Sequence, residues 1–309
     1  MSKYARISRK MTKRTTLLFI AALLITALAF GFQRTGGGTT VSPFDEQRVT
    51  RDLQTIVSLG PRPAGSEALA KARAYIVSEL EKAGLKPQLD EFDARTPLGN
   101  RRMVNIRASR PGSKPNVIAI TGHYDTKLFQ NIRFVGANDG GSSAAWLLEF
   151  ARCTRDLKLQ NTLEFVFFDG EEAVVEWTDN DSVYGSRYDV DRRTRNGSLK
   201  NLKAMILVDM IGDRNLNIRR EGQSTPWLKD LIWETAQSMG YAKEFPNEEI
   251  EVADDHIPYL RAGVPAVDLI DFDYPAWHTA ADTLDKVTGR SLKIVGDVVY
   301  SSLPAIDRR

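Results

Sequence analysis

Continuous apolar runs recur along the chain, and each one ends at a polar residue. Three runs are long enough to be buried strands, and a fourth is shorter. They lie in "PNVIAITGHYD" (115–125), "TLEFVFFDG" (162–170), "AMILVDMIG" (204–212) and "VPAVDLID" (264–271). Runs without polar alternation are typical of strands covered on both faces, as in a parallel sheet.

Helical patterns separate these strands. In the first helix, apolar positions recur three and four residues apart, Ser66 is a plausible N-cap, and Gly84 follows the last turn. The predicted helices are 66–84, a segment starting near Asp139, 225–240, and the chain from Gly289 onward. Strands that alternate with helices predict a three-layer α/β/α sandwich around a mixed, largely parallel sheet, in a single domain.

The N-terminal segment carries a different pattern. Six lysines and arginines lie within residues 1–14 and precede an apolar stretch at 15–32. This order predicts an export signal, with a cleavage site near Ala27-Leu28-Ala29. The alternative is an uncleaved membrane anchor, although the apolar run is slightly short of the ~20 residues that span a bilayer. Both alternatives place the protein outside the cytoplasm, as a periplasmic or secreted protein that is soluble or membrane-anchored.

The signal or anchor is assigned to 1–34, a Gly/Thr-rich linker to 35–42, and the catalytic domain to 43–309. The net charge of +2 depends on the basic leader, because the other 36 basic residues face 40 acidic ones. A mildly acidic body argues against a nucleic-acid partner. Cys153 is the single cysteine, so no internal disulfide is possible, and its place in an apolar helix predicts a core residue.

Polar side chains follow the predicted strands, where the carboxyl ends of parallel strands form a crevice. All three histidines of the chain lie in these clusters beside carboxylates. The clustered residues are His123, Asp125, Asp139, Glu171, Glu172, Asp209, Asp254, Asp255, His256 and His278. Each one alone is weak evidence, because an aspartate after a strand is commonly a helix cap. Together, so many carboxylates would repel one another without a cation, and imidazole with carboxylate ligands suits zinc.

The motifs HYDT, GANDGGSS, FFDGEEA and WHTAADT resemble those of the M28 zinc aminopeptidase family, from about Val49 to about Val287. In that pattern five residues match the ligand positions of the two-zinc peptidases, and Glu171 matches their general base. The five are His123, Asp139, Glu172, Asp209 and His278.

Three features are similar to the glutaminyl-peptide cyclotransferase (glutaminyl cyclase) branch of that family. They are EEAVVEW followed by DSVYGSRY, the stretch DDHIPYLRAGVP, and a tryptophan before the last histidine. The resemblance implies that Trp177 and Trp277 line the pocket for the substrate side chain. The sequence departs from the animal cyclases at Gly122, at Thr126, and at Asp268, where those enzymes carry a histidine of the active-site hydrogen-bond network.

The resemblance implies a glutaminyl-peptide cyclotransferase that converts the N-terminal glutamine of peptides or proteins to pyroglutamate and releases ammonia. One zinc ion, held by Asp139, Glu172 and His278, would polarise the side-chain carbonyl of the substrate. Glu171 would be the general acid and base, with Asp254 and Asp209 sharing protons.

Two alternatives remain open at this point. As an M28-type zinc aminopeptidase, the protein would hold a second zinc through His123 and Asp209, with Asp139 bridging the pair. Glu171 would then activate water to hydrolyse an N-terminal residue. A peptidase-like domain used only for binding is the third reading, and it is disfavoured because no ligand position has been lost.

Overall fold

The computed structural model describes residues 42–309, which form one compact unit. The predicted leader at 1–34 and nearly all of the predicted linker lie outside the described residues. Within the described part, no helix combines the length and the apolar content needed to cross a bilayer.

A six-stranded sheet forms the centre of the molecule. Its strands are β1 (Gln88–Thr96), β2 (Gly99–Arg110), β3 (Val117–His123), β4 (Thr162–Phe168), β5 (Leu202–Asp209) and β8 (Ala266–Ile270). They are arranged in the order β1-β2-β4-β3-β5-β8. The pairs β4/β3, β3/β5 and β5/β8 are parallel, and β1/β2 and β2/β4 are antiparallel. The predicted mixed, largely parallel sheet is therefore confirmed.

Helices cover both faces of the sheet. The helices are α1 (Glu46–Ser58), α2 (Glu67–Lys82), α3 (Gly141–Cys153), α4 (Tyr184–Arg195), α5 (Pro226–Ser238), α6 (His256–Arg261) and α7 (Gly289–Arg308). Two short strands, β6 (Arg220–Glu221) and β7 (Glu249–Ile250), pair in a separate small sheet. Helices α1, α2, α3, α5 and α7 pack together on one side, while α4 and α6 contact each other on the other.

Alternate strand residues supply the cores of the two layers, because successive strand side chains point to opposite faces. On β3, for example, Ile118 and Ile120 belong to the large core, whereas Ala119 belongs to the smaller one beneath α4 and α6. Cys153 is a free thiol buried in the large core, as its position in an apolar helix predicted.

The strong sequence patterns correspond closely to the observed elements. The Ser66 side chain accepts a hydrogen bond from the Leu69 amide and caps α2, and Pro226 opens α5. Helix α3 begins at Gly141 rather than near Asp139, because Gly140 adopts a left-handed φ of 76°. That turn leaves Asp139 in the preceding loop, at the carboxyl edge of the sheet, where it is free to act as a ligand.

Candidate active site

Asp139, Glu172 and His278 form a group whose ligand atoms lie within 4.8 Å of one another. His278 Nε2 is 3.3 Å from Asp139 Oδ2 and 3.3 Å from Glu172 Oε1. These residues come from the loop after β3, the loop after β4 and the loop after β8. The fold therefore brings together the three predicted zinc ligands at the carboxyl edge of the sheet.

His123, Asp139 and Asp209 form a second group that shares Asp139 with the first. His123 Nε2 lies 3.4 Å from Asp139 Oδ1 and 3.0 Å from Asp209 Oδ1. The two oxygens of Asp139 thus face different groups. All five residues of the predicted two-metal pattern converge, and Asp139 has the bridging position.

The donors of the first group fit a divalent cation. Tetrahedral zinc with bonds of about 2.0–2.1 Å to nitrogen and oxygen separates its ligand atoms by about 3.3–3.4 Å. The two nitrogen–oxygen distances at His278 have this length. Asp139 Oδ2 and Glu172 Oε2 are buried without a hydrogen-bond partner within the described chain, so each has a lone pair available to an ion.

Asp282 holds the loop that carries Asp139. Its carboxylate accepts hydrogen bonds from the backbone amides of Asn138 at 2.8 Å and Asp139 at 3.1 Å. Arg62 is fully buried and donates to the carbonyls of Val135 and Gly136 in the same loop. The position of this ligand is therefore fixed by contacts distant in sequence.

The paired glutamates after β4 are held by Asp125. One carboxylate oxygen of Asp125 accepts from the Glu171 amide at 3.2 Å, and the other accepts from the Glu172 amide at 3.3 Å. The two side chains then diverge: Glu172 faces His278, while Glu171 Oε2 lies 3.6 Å from His123 Nδ1. Adjacent carboxylates can thus serve as a metal ligand and as a separate proton-transfer group.

The electrostatic setting of the metal-free site favours protons on Glu171, Glu172 and Asp254, whereas the hydrogen bonds from His123 and His278 outweigh burial and lower the pKa of Asp139. Burial raises the pKa of Glu171 well above its ordinary value, and the charges of Glu172 and Asp254 add to the effect, against the opposing influence of His123. Burial and Asp139 raise the pKa of Glu172 to about 7. Burial, Asp209 and Asp255 raise the pKa of Asp254. These are environments in which a carboxyl can exchange protons near neutral pH.

Aromatic rings surround His278. Trp277 stacks on its imidazole with ring centroids 4.2 Å apart, and Phe129 and Phe134 meet it edge-on at 5.6 and 5.8 Å. His278 itself adopts a left-handed φ of 54°. Burial opposes a charge on this ring, but Asp139 and Glu172 outweigh it and raise its pKa to about 9. The rings fix the orientation in which the imidazole meets the two carboxylates.

A cavity of about 520 Å³ opens onto this site. Trp177 and Trp277 line it and remain 41% and 40% exposed, so neither is a core residue. The sequence assigned a role in the site to nine residues, and eight of them line the cavity: Asp139, Glu171, Glu172, Trp177, Asp209, Asp254, Trp277 and His278. The ninth, His123, is buried behind them.

His256 and Asp268 occupy a separate buried cluster. His256 Nε2 is 3.1 Å from Glu221 Oε2, and its Nδ1 is 3.7 Å from Asp268 Oδ2. Within the described chain, neither carboxylate oxygen of Asp268 has a hydrogen-bond partner, and burial, Asp254 and Asp209 raise its pKa. His256 is therefore not a ligand of either group, although the sequence placed it in the same polar set.

The sequence placed Asp125 among the clustered carboxylates without assigning it a role, and it did not single out Asp282 or Lys127. Asp125 and Asp282 act through backbone amides, and Lys127 lies 3.8 Å from Glu172 Oε2 while donating to the Ala173 carbonyl at 3.0 Å. Asp125 and Asp282 stand inside the HYDT and WHTAADT motifs, and Lys127 directly follows HYDT. Their closeness in sequence to predicted ligands was the available signal.

The fold and the two groups of possible metal ligands define the class of the protein: it is an α/β protein with a candidate metal site at the carboxyl edge of the sheet. Residues 105–303 match peptidase family M28, and the chain belongs to that family.

The chain falls among the glutaminyl-peptide cyclotransferases of this family. It is similar to the glutaminyl-peptide cyclotransferase of Boiga irregularis, with 32% identity over 74% of this chain and 73% of that protein. The crystal structure of an Acidobacteriales bacterium glutaminyl cyclase superposes with a TM-score of 0.82 and 38% identity, covering 87% of this chain and 97% of that one. A structure described as a leucine aminopeptidase precursor from Bacteroides thetaiotaomicron has a TM-score of 0.79 and 26% identity, covering 85% of this chain and 98% of that one.

Proposed function

We propose that this protein is a glutaminyl-peptide cyclotransferase, which converts the N-terminal glutamine of peptides or proteins to pyroglutamate and releases ammonia. The observation that carries the proposal is the wall of the cavity. It presents one complete ligand group, Asp139, Glu172 and His278, with Glu171 beside it and two exposed tryptophans around it. The family membership and the glutaminyl cyclase structures support the same reading.

We propose a single zinc ion, held by Asp139, Glu172 and His278. When bound, it supplies a Lewis acid that polarises the side-chain amide carbonyl of the substrate glutamine. Both nitrogen–oxygen distances at His278 match those of tetrahedral zinc, and all three residues line the cavity from which a substrate would approach the ion. His123 is buried and does not line the cavity, whereas every residue of the first group does, which favours one ion over two.

The reaction joins two groups of the same residue, so orientation is the main task of the protein. Trp177 and Trp277 would hold the glutamine side chain between them. The α-amine nitrogen attacks the side-chain carbonyl carbon, a C–N bond forms, and the bond from that carbon to the amide nitrogen breaks. Glu171 accepts the proton that the amine loses and delivers it to the departing nitrogen, which leaves as ammonia.

Asp254 and Asp209 would share with Glu171 the proton that is transferred during the reaction. Asp254 is 4% exposed, and its charge contributes to the raised pKa of Glu171. Asp209 in turn contributes to the raised pKa of Asp254. One of its own oxygens contacts both His123 and Ser143. One of these neighbouring carboxyl groups can hold a proton while Glu171 is charged. The cluster of carboxyl groups therefore stays close to neutral during the reaction.

The purified protein should release ammonia from peptides that begin with glutamine and leave peptides that begin with leucine or alanine intact. Mass spectrometry should show a loss of about 17 Da from the glutamine peptide, because one ammonia leaves and no water enters. Release of free amino acids without ammonia would refute the cyclotransferase assignment.

An aminopeptidase remains the second candidate, because the second ligand group is also assembled around Asp139. His123 and Asp209 would then hold a second zinc, and Glu171 would activate water. Metal analysis of the protein as purified separates the two: about one zinc per chain agrees with the cyclotransferase and about two with the peptidase.

We further propose that the protein is exported, with the catalytic domain at 43–309 following a leader at 1–34 and a linker at 35–42. The basic residues before the apolar stretch support export. N-terminal sequencing of the exported protein would distinguish cleavage near Ala29 from a retained anchor.

A further inference from the structure

A cavity of about 390 Å³ lies between the first half of α2 and strand β2. We call it the arginine cavity and define it by Ser66, Ala70, Arg73, Arg101 and Arg102, which line it. It shares no lining residue with the cavity of the active site, and the proposed reaction uses none of its residues. Among residues 42–309, no aspartate or glutamate lines it. Its volume lies within the range of sites that bind small molecules.

One of the three arginines is neutralised by its neighbours. Arg102 Nη2 is 2.7 Å from Glu91 Oε2, and its Nη1 is 3.3 Å from Asp93 Oδ1. Both partners lie on β1, the strand that pairs with β2. Of the three arginines, only Arg102 has a carboxylate within hydrogen-bond distance in the described chain.

Arg101 uses only part of its guanidinium within the protein. Its Nη1 donates to the Ala64 carbonyl at 3.0 Å, whereas its Nε is buried and has no hydrogen-bond partner in the described chain. A buried N–H group without a partner is destabilising, so an oxygen that accepts from it is bound favourably. Arg101 therefore has both a positive charge and unused donors for a ligand.

The charge of Arg73 is also without a close partner. The nearest carboxylate oxygen is Asp169 Oδ2 at 4.0 Å, and that oxygen already accepts from the Val104 amide at 2.8 Å. Burial and the charge of Asp125 raise the pKa of Asp169 to about 8. Near neutral pH the carboxyl of Asp169 is therefore mostly protonated, and the charge of Arg73 is not neutralised.

Two guanidinium groups without a countercharge match the two negative charges of one phosphate group. The planar N–H fork of arginine fits two phosphate oxygens at once. The Ser66 side chain accepts from the Leu69 amide as the cap of α2, and its own proton has no acceptor among residues 42–309. The apolar side chains of Leu69 and Ala70 line the rest of the cavity and leave room for a small organic part.

We propose that the arginine cavity binds a dianionic phosphate group, either free phosphate or the phosphate of a small monoester. Arg73 and Arg101 bind its oxygens, and Ser66 donates a hydrogen bond. This second ligand site goes beyond the proposed cyclotransferase function and does not depend on it, because binding requires neither the reaction nor a metal.

The first test is calorimetric titration of the zinc-loaded protein with inorganic phosphate, glycerol 3-phosphate and acetate near pH 7.5. Both phosphate compounds should bind with a Kd of about 1 mM or below, and the singly charged acetate about ten-fold more weakly. Tighter binding of glycerol 3-phosphate assigns the site to a monoester, and equal or weaker binding assigns it to free phosphate. Absence of phosphate binding at about 10 mM would overturn the proposal.

The second test removes the charges one at a time. Arg73→Gln and Arg101→Gln should each raise the Kd for phosphate about ten-fold or more, because each removes a charged hydrogen-bond donor. Arg95→Gln is the matched control, since Arg95 is exposed on the neighbouring strand β1 and does not line the cavity. Its Kd should stay within about two-fold of the unmodified protein. Equal weakening in all three variants would show general attraction to a basic surface and contradict the proposal.

The Arg101 side chain also holds the Ala64 carbonyl, so circular dichroism must show that Arg101→Gln is folded. If it is not, Arg73→Gln decides the question, because Arg73 has no such contact with a backbone carbonyl in the described chain.

The third test places a carboxylate inside the cavity. Ala70→Glu should abolish phosphate binding, because the new carboxylate pairs with the arginines. Ala68→Glu adds the same side chain to α2 about 160° around the helix, outside the lining of the cavity, and should keep the original Kd. Phosphate binding that survives in a folded Ala70→Glu variant would contradict the proposal.

A phosphate ion can also coordinate zinc, so a variant of the candidate metal site separates the two locations. Asp139→Asn should bind phosphate with an unchanged Kd, because Asp139 does not line the arginine cavity. Binding that is lost in Asp139→Asn but kept in Arg73→Gln would place the phosphate on the metal and refute the proposal. Ammonia release is measured separately, so a failure of the proposed cyclotransferase function would leave the outcome of these titrations unchanged.

Discussion

At the scale of single residues, the adjacent glutamates after β4 are the most informative feature. Asp125 accepts a hydrogen bond from each of their backbone amides, and the side chains then reach different neighbours. Glu172 faces His278, and Glu171 faces His123. One buried carboxylate thus holds two successive residues of the same type so that their side chains enter two different environments.

Glu171→Gln should lower kcat by about 10²–10⁴, because the amide keeps the shape of the side chain but cannot carry the proton. Zinc content should be unchanged, since Glu171 is not in the ligand group. Glu172→Gln is the matched control and should lose zinc as well as activity. Steady-state kinetics and metal analysis of both variants test this. If Glu171→Gln keeps full kcat, Glu171 is not the general acid and base.

At the scale of secondary-structure elements, the turns that follow the strands carry backbone strain. Among residues 42–309, three residues other than glycine have left-handed φ values, and all three adjoin the site: Val183, Met210 and His278. Val183 donates its amide to the Glu171 carbonyl at 2.7 Å, and Met210 follows Asp209. Such conformations cost about 1–2 kcal/mol and persist where surrounding contacts impose them.

Strain at Val183 can be measured by comparing two truncations. Both Val183→Ala and Val183→Gly remove the same buried side chain, but only glycine adopts a φ of 44° without cost. The glycine variant should therefore be the more stable, by up to about 1 kcal/mol after allowance for the greater freedom of its unfolded chain. Urea denaturation measures the difference. If the alanine variant is clearly the more stable, as in an ordinary helix, Val183 is not strained.

The elements that the sequence predicted are those with a strong local signal. β3, β4, β5 and β8 are continuous apolar runs, and α2 and α5 have a clear cap or proline at their start. The hairpin of β1 and β2 was missed because β1, "QLDEFDART", is mostly exposed at the sheet edge and reads as a polar loop. Helix α6 is only six residues long and contains Pro258, so its pattern could not identify it.

The convergence of the candidate ligands could be predicted for a different reason: parallel strands bring their carboxyl ends to one edge, so residues far apart in sequence become neighbours. The contacts that hold these residues in place could not be predicted from the sequence. That Asp282 binds the amide of Asp139, 143 positions away, depends on the path of a loop rather than on local pattern.

At the scale of the whole molecule, folding buries many acidic side chains at the site, and their protonation makes the stability of the protein depend on pH. In the metal-free protein, burial raises the pKa of Asp255 to about 7 and of Asp169 to about 8, in addition to that of Glu172. For an acid with a raised pKa, the folded state binds more protons than the unfolded state, so stability falls as the pH rises through the folded pKa. His278, raised to about 9, acts in the same direction, since its favourable charge is lost with rising pH.

The metal-free protein should therefore lose thermal stability between about pH 6 and pH 9. Over each pH unit in which one such group is protonated in the folded state but not in the unfolded state, the free energy of unfolding falls by about 1.4 kcal/mol. Several groups together should lower Tm by at least several degrees. Acids with a lowered pKa, such as Glu221 at about 2, where hydrogen bonds from His256 and Ser224 outweigh burial, have finished titrating below this window and do not compensate.

Adding zinc should reverse the trend, because metal ligands must be deprotonated and binding then releases protons. The increase in Tm on adding zinc should be small near pH 6 and larger near pH 8, when the chelator-treated and zinc-loaded proteins are compared by calorimetry. Asp139→Asn serves as the control: it weakens both ligand groups, so its Tm should respond little to zinc at either pH. If the metal-free protein instead becomes more stable from pH 6 to pH 9, these acids are not protonated in its folded state. The cluster that binds the ion would then not be formed by folding alone.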